Sequence, residues 1–392
     1  MNYEQLHQEY KAQNVQGRYI TLSHLSDFLA ELPSSMVSVL GYSVQNQPIY
    51  ALRMGTGKTK VFMWSQMHGN ESTTTKAVVD FVRFLQGKSV LAIEFLSQVD
   101  FLLLPLVNPD GALAYTRENA NGIDLNRDAQ DRTQPESQVL RKAFDDFTPD
   151  FCFNLHDQRT IFGAGSSGNP ATVSFLAPSY NEEREFNETR MKAVDVINAM
   201  TTKLQQYIPN QIGRFDDGYN SNCIGDTFQF LGVPTILVEA GHFPDDYERE
   251  TTRKYIFIAL LTGVKSIYEI DIVRNNIDKY MNIPQNIPNF YDFVYKNIKF
   301  YCDDSKIISN FAAQYKEVLQ DHCIQFRAYI SAIGELDTYF GHITYDCKGQ
   351  EYFANGVLAP TVGEEATFML NEQSSFENGC LTSWWYLYWN GK

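Results

Sequence analysis

The sequence predicts an α/β protein: a mixed, mostly parallel central sheet flanked by helices, followed by a small C-terminal domain that is mostly β. Three observations carry this. Between about Leu22 and Val264, short apolar runs alternate with amphipathic helical stretches, the order that builds a sheet covered by helices. Several runs are apolar almost without interruption, as strands buried on both faces require. After about Asn275 the helical spacing gives way to short β-prone stretches separated by turns.

The strands follow in order. KVFMWSQ (Lys60–Gln66), VDFLLLPLV (Val99–Val107), FCFNL (Phe151–Leu155), TVSFLA (Thr172–Ala177) and PTILVEA (Pro234–Ala240) are the apolar runs. Between them, Thr73–Leu85 places Ala77, Val78, Phe81, Val82 and Leu85 on one helical face, and Glu136–Phe147 does the same with Val139, Leu140, Ala143, Phe144 and Phe147. Asn181–Tyr207 reads as a long polar-faced helix and Arg249–Ile267 as one buried on one side. IPQNIPNFYDF, rich in Pro, Asn and aromatics, marks a linker or the start of a new unit. Residues 1–275 are thus expected to form one domain. Residues 276–392 are expected to form an accessory domain, with β-prone stretches at Gln325–Ile333, Gly341–Tyr345 and Ala366–Leu370. The aromatic tail SWWYLYWNGK is expected to be packed or disordered.

Composition narrows the function. Of 392 residues, 44% are hydrophobic and 20% charged, enough to bury a sizeable core. The formal net charge of −15 disfavours phosphate backbones and anionic membranes, so neither nucleic acid nor membrane is expected as a partner. The N-terminal stretch has no apolar signal-like core, and no run approaches the ~18 apolar residues of a membrane span. The six cysteines form no CxxC pair and read as reduced thiols. A cytoplasmic location is the expectation.

The chemistry-bearing residues cluster at strand ends. In WSQMHGNEST, His68 and Glu71 stand three apart between a strand and a helix, where open α/β sheets place their ligands. FNLHDQ ends a second strand with His156. Two imidazoles and a carboxylate make a ligand set for a single catalytic Zn2+ with one position left for water. A lone strand-end histidine is more often a hydrogen-bonded structural residue, and His242 in VEAGHFPDD competes as third ligand. VNPDGALAYTRENANGIDLNRDAQ offers Arg117, Asn126 and Arg127, and guanidinium groups suit a substrate carboxylate or an oxyanion. The blander reading is a solvated loop with ion pairs to Glu118, Asp124 or Asp128, in which NPDG is a plain turn. Glu239 ends an otherwise apolar strand, where a carboxylate is unfavourable unless paired or functional. It suits a general base acting on a metal-activated water and then a general acid.

Together these residues resemble the zinc carboxypeptidase family M14, over about Leu22–Ile267. The family order is HxxE, an arginine, Asn-Arg, a histidine, a glutamate; His68, Glu71, Arg117, Asn126, Arg127, His156 and Glu239 fill it. LGYSVQNQPIYALRMG resembles the family's lead-in strand pair, and PES (Pro135–Ser137) the opening of a family helix. The resemblance implies that His68, Glu71 and His156 bind zinc, Arg117 polarises the scissile carbonyl, Asn126 and Arg127 hold the substrate's terminal carboxylate, and Glu239 activates water. It implies a mobile tyrosine, best matched by Tyr219 in YNSNCIGDTF, and an aspartate near the specificity pocket, matched by Asp226. The expected partner is a peptide or small carboxylate-bearing amide. The shorter gap between Glu71 and His156 departs from the digestive members, so their pocket residues do not transfer. HGNE and DLNR also resemble the aspartoacylase and succinylglutamate desuccinylase branch, whose members cut N-acyl amino acids. NPDG and the lead-in strands favour the peptidase branch. A catalytically silent zinc protein with a binding accessory domain is the third reading.

Two other motifs carry no function. RMGTGKTK has Leu52 where a phosphate loop needs its first glycine, and reads as a turn between strands. NES at Asn70 and NET at Asn187 fit the glycosylation pattern, but the first lies in the proposed metal loop.

Overall fold

Apolar alternation places the chain's core on both faces of one large sheet. The computed structural model describes residues 2–269, 275–302 and 305–384. Two helices, α1 (Tyr3–Tyr10) and α2 (Leu22–Glu31), precede the hairpin β1 (Val37–Tyr42) and β2 (Pro48–Met54). Then come β3 (Thr59–Ser65), α3 (Thr73–Gln86), α4 (Val90–Gln98), β4 (Val99–Leu104), α5 (Pro109–Ala114), α6 (Pro135–Phe147), β5 (Phe151–Asp157) and the short β6 (Phe162–Ala164). β7 (Val173–Leu176), α7 (Glu188–Leu204), β8 (Ile212–Arg214), α8 (Ile224–Phe230), β9 (Thr235–Ala240), α9 (Glu250–Tyr268) and α10 (Ile277–Met281) follow.

Eight strands form the sheet in the order β1-β2-β4-β3-β5-β9-β7-β8. Its centre, β4-β3-β5-β9, is parallel, and so is β7-β8; the pairs β1-β2, β2-β4 and β9-β7 are antiparallel. This is the mixed, mostly parallel sheet that the apolar runs predict. Strand alternation sends Val61 and Met63 of β3 into one core with α3, α7 and α9, and Phe62 and Trp64 into another with α6 and α8. On the second face Phe144 of α6 stacks on Phe228 of α8 with ring centroids 3.9 Å apart.

The order also fixes where a ligand can sit. From β3 the chain crosses to β4 on one side, and later enters β5 on the other. The carboxyl ends of β3 and β5 therefore flank a topological switch point, the crevice where open α/β sheets bind ligands.

Two local readings need correction, and one choice between alternatives is made. NPDG is a helix start and not a plain turn: Asn108 caps α5 by accepting from Gly111 N, and Pro109 occupies the first helical turn. The helix expected over Asn181–Tyr207 begins only at Glu188, because the Asn187 side chain accepts from Arg190 N and ends the preceding turn. Of the two readings of IPQNIPNFYDF, a linker or the start of a new unit, the stretch forms β10 (Asn286–Pro288) and the start of β11 (Phe290–Cys302), and a second compact unit takes over from residue 287.

The chain divides into two compact units, residues 1–159 with 169–286, and residues 160–168 with 287–392. In the second, β11 is joined by β12 (Ser305–Gln320), β13 (Cys323–Gly334) and β14 (Phe340–Asp346) in the order β13-β12-β11-β14. A smaller sheet holds β15 (Tyr352–Phe353), β16 (Phe368–Leu370), β17 (Ser374–Glu377) and β18 (Cys380–Trp384). Phe293, Tyr295 and Phe311 of the larger sheet and Phe368 and Phe376 of the smaller one fill a common core in this unit. β6 pairs with β10. Most of the aromatic tail, residues 385–392, lies outside the described residues. All six cysteines are free. Among the described residues no helix is long and apolar enough to cross a membrane.

Candidate active site

The loop after β3 carries the first two ligand candidates on a constrained backbone. Gln66 adopts a left-handed φ of 51°, and its side chain donates to the carbonyls of Ile20 and Gly69, both at 2.8 Å. A Cβ on Gly69 would lie 1.9 Å from the Gly111 carbonyl carbon, so the loop presses on α5 where only glycine fits. His68 and Glu71 emerge from this fixed turn just before α3.

His156, the penultimate residue of strand β5, meets them. His68 Nδ1 lies 2.8 Å from Glu71 Oε1, and His156 Nδ1 lies 2.8 Å from Glu71 Oε2. The two Nδ1 atoms are 3.1 Å apart. All three residues are buried, and their ligand atoms lie within 4.8 Å of one another. Among the described residues this is the one such group of His, Cys, Asp and Glu. His242 is buried too, but packs its ring 4.7 Å from Tyr247 and does not join the group.

Two aspartates missed as functional residues complete the frame. Asp124 accepts from His68 Nε2 at 2.9 Å, which leaves the Nδ1 lone pair facing the other ligands. The sequence reading had Asp124 only as an ion-pair partner; its signal was the short spacing to Asn126 and Arg127. Asp157, next to His156, accepts from Thr73 N and Thr74 N at the start of α3, at 2.9 and 3.2 Å. Its own N–H donates to Glu71 Oε2 at 3.1 Å. The start of α3 and the end of β5 are thereby tied on either side of the ligand group.

Charge follows geometry. Burial opposes ionisation of Glu71, yet the His68 and His156 rings hold its carboxyl far below the usual range. Burial would lower the pKa of His68, but Glu71 and the hydrogen bond to Asp124 outweigh it and raise it. At His156 burial wins, and the pKa falls. Two imidazole nitrogens and one ionised carboxylate, aimed at a common point, fit a divalent cation such as Zn2+.

Glu239 on β9 is paired in register with His156. Its Oε2 is sealed from solvent and has no hydrogen-bond partner among the described residues. Burial, reinforced by Glu71 and Asp157, pushes its pKa well above the ordinary carboxylate value. Arg117 is half-buried; its Nε donates to Asp124 Oδ2 at 3.0 Å and its Nη1 to Glu71 Oε1 at 3.3 Å. It thus pairs with Asp124, as the solvated-loop reading anticipates, but also reaches the ligand group.

Asn126 and Arg127 sit on a 3-10 turn, Leu125–Arg127, capped by Asp124. Asn126 Oδ1 accepts from Ile224 N at 2.9 Å. Arg127 is exposed; its Nη1 donates to Asn126 O at 2.7 Å and contacts Cys223 Sγ at 3.1 Å, and it forms no ion pair among the described residues. Tyr219 is half-buried, with a pKa raised by burial and then by Asp226, and no hydrogen bond among the described residues joins it to the ligand group. Asp226 accepts from Asn220 N at 2.8 Å, and burial lifts its pKa to about 7.

The sequence profile of the M14 peptidases, described as zinc carboxypeptidase, matches residues 22–228, more than half of the chain. The chain belongs to the M14 zinc carboxypeptidase family. The M14 match includes His68, Glu71, Arg117, Asn126, Arg127, His156, Tyr219 and Asp226, and ends before Glu239. Carboxypeptidase 2 of Trichophyton rubrum is 26% identical over 140 residues, covering 36% of this chain and 24% of that protein. Mouse carboxypeptidase A2 is 26% identical over 183 residues, covering 43% of this chain and 40% of that protein. The chain thus spans about a quarter to two fifths of the length of these curated relatives. In fold it is similar to carboxypeptidase A of Helicoverpa armigera, with a TM-score of 0.52, 16% identity, and 68% of this chain and 79% of the other covered.

Proposed function

We propose that this M14 protein is a zinc-dependent carboxypeptidase that hydrolyses the amide bond next to a free C-terminal carboxylate. The observation that carries the reading is the convergence of His68 Nδ1, His156 Nδ1 and both Glu71 oxygens, with Glu239 on the strand beside His156. His68, Glu71 and His156 would hold the ion. When bound, zinc supplies Lewis acidity for the scissile carbonyl and makes a water nucleophilic near neutral pH.

The chain's own residues do the rest. Glu239 takes the proton from the attacking water and returns it to the leaving amine. Its raised pKa suits a group that must hold that proton between the two transfers, and a cation nearby draws the pKa back toward neutrality. Arg117 donates to the oxygen that gains charge as the carbonyl is attacked. Arg127, exposed and without an ion pair among the described residues, receives the substrate's terminal carboxylate with Asn126 beside it. Tyr219 closes over the bound end of the substrate. The second, all-strand unit acts as an accessory domain.

The decisive comparison uses zinc-loaded protein and peptide pairs that differ only in a free or amidated C-terminus. Cleavage of the free-acid peptide and not the amide supports the reading. Cleavage of N-acyl amino acids in preference to peptides would move the protein to the deacylase reading, and cleavage of neither would leave a silent zinc protein.

A further inference from the structure

Arg117, Asp124, Asn126 and Arg127 all ride on the stretch between α5 and α6, residues 115–134, whose regular structure is the single 3-10 turn at Leu125–Arg127. A stretch so long and irregular orders its side chains only if something pins it, because each freely rotating residue opposes the arrangement entropically. One such pin is Asn119, a buried residue to which the proposed reaction gives no part.

The Asn119 side chain is fully engaged. Its Oδ1 accepts from Asn121 N and Ile123 N, both at 3.1 Å. Its Nδ2 donates to Gln134 Oε1 at 2.9 Å and Glu136 Oε2 at 3.0 Å. Two amides on one side and two oxygens on the other fix which way the amide points. Its main chain closes the same turn, since Asn119 N donates to Ile123 O at 3.0 Å and Gly122 N to Asn119 O at 2.9 Å. Glu136 is itself buried, and its Oε1 accepts from Val44 N at 3.0 Å. Asn119 therefore ties the loop to the first turn of α6 and, through Glu136, to the β1–β2 hairpin.

We infer that Asn119 is a positioning residue, which pinches residues 119–123 into a closed turn so that Arg117 and Asp124 meet and hold His68 and Glu71. Arg117 lies two residues before the pinch and Asp124 one residue after it. Without the pinch these two, seven apart in sequence, have no reason to face one another; with it they sit 3.0 Å apart. Asp124 then orients the His68 ring, and Arg127 follows on the same 3-10 turn. The inference deepens the proposed function, since it takes His68 as a ligand and Arg127 as a substrate group.

A charge swap tests it in the full chain. Asn119→Asp keeps the Oδ1 acceptor for both amides but sets a second carboxylate against buried Glu136. Adding Glu136→Gln replaces that clash with a donor, and the Gln134 amide can turn over to match. Three quantities are measured: zinc affinity by chelator competition, KM and kcat on a free-acid peptide, and hydrogen exchange of the Asn121 and Ile123 amides. Asn119→Asp is expected to weaken zinc by about tenfold or more, as loss of a ligand's supporting partner does. It is also expected to raise KM and speed exchange at both amides, and the double variant is expected to recover most of all three. A single variant within about twofold of wild type, or a double variant no better than the single, overturns the inference. If wild type binds zinc but cleaves no peptide, the proposed activity fails while zinc affinity and exchange still decide the role of Asn119. If wild type binds no zinc, exchange alone decides it, and unchanged exchange rejects it.

Discussion

His156 and Glu239 stand side by side on the neighbouring parallel strands β5 and β9, in direct register. Paired residues of adjacent strands project to the same face of a sheet. The register therefore delivers an imidazole and a carboxylate to one side of the crevice, the first turned to Glu71 at 2.8 Å and the second without a hydrogen-bond partner at Oε2 among the described residues. The proposed ligand and the proposed base thus differ in what each touches.

The first prediction concerns that base. Glu239→Gln preserves shape and removes the proton acceptor. Zinc content, read by metal analysis, should equal that of wild type, while kcat should fall by about 10²–10⁴-fold, the usual worth of a general base. Near-normal turnover in this variant removes Glu239 from the mechanism.

A second prediction separates ligands from their supports. Asp124→Ala leaves all three ligand side chains in place but releases His68 Nε2. Metal affinity should drop by about 10–100-fold, whereas His156→Ala should abolish stoichiometric binding. Isothermal titration with zinc distinguishes the two, and an unchanged affinity in Asp124→Ala would show that the His68 ring needs no second anchor.

Arg127→Ala should act on binding more than on chemistry. A charge-assisted hydrogen bond is worth roughly 1.5–3 kcal/mol, or about 10–100-fold in KM. That loss should fall on free-acid substrates and spare kcat. A parallel loss in kcat with KM unchanged would place Arg127 at the transition state and not at the carboxylate.

Asp226 gives a pH prediction for stability. Burial raises its folded pKa to about 7, from 3.8. The native carboxyl therefore holds its proton more tightly than the unfolded one. Stability from this group is fully present below pH 3.8 and is lost as pH rises through about 7. Asn keeps an acceptor for Asn220 N and never ionises, so Asp226→Asn should stabilise by about 1–2 kcal/mol at pH 8 and make no difference near pH 4. Thermal melts at the two pH values check this. A variant less stable than wild type at pH 8 would mean that the ionised carboxylate is a favourable partner in the fold.

Much of the candidate site was legible because ligand chemistry restricts residue type. His68, Glu71, His156 and Glu239 each end or follow an apolar run, and a polar residue there stands out against its neighbours. Asp124 was less visible, because an aspartate in a polar loop has many ordinary uses. Asn119 gave no signal at all, since its value lies in four partners drawn from positions 121–136. Turn chemistry misled at NPDG, where Asn108 caps a helix, since the same residues start turns and helices alike.

By itself the sequence determined the alternation of strands and helices, because burial imposes a period on side chains, and it determined which polar residues sit at strand ends. Only the tertiary structure decided the strand order that puts β3 beside β5, the register that sets Glu239 next to His156, and the pinch that brings Arg117 to Asp124. The first two depend on contacts between residues tens of positions apart and the third on side-chain partners of Asn119 as far as 17 positions away, and no local pattern of polarity encodes which partners a side chain will find.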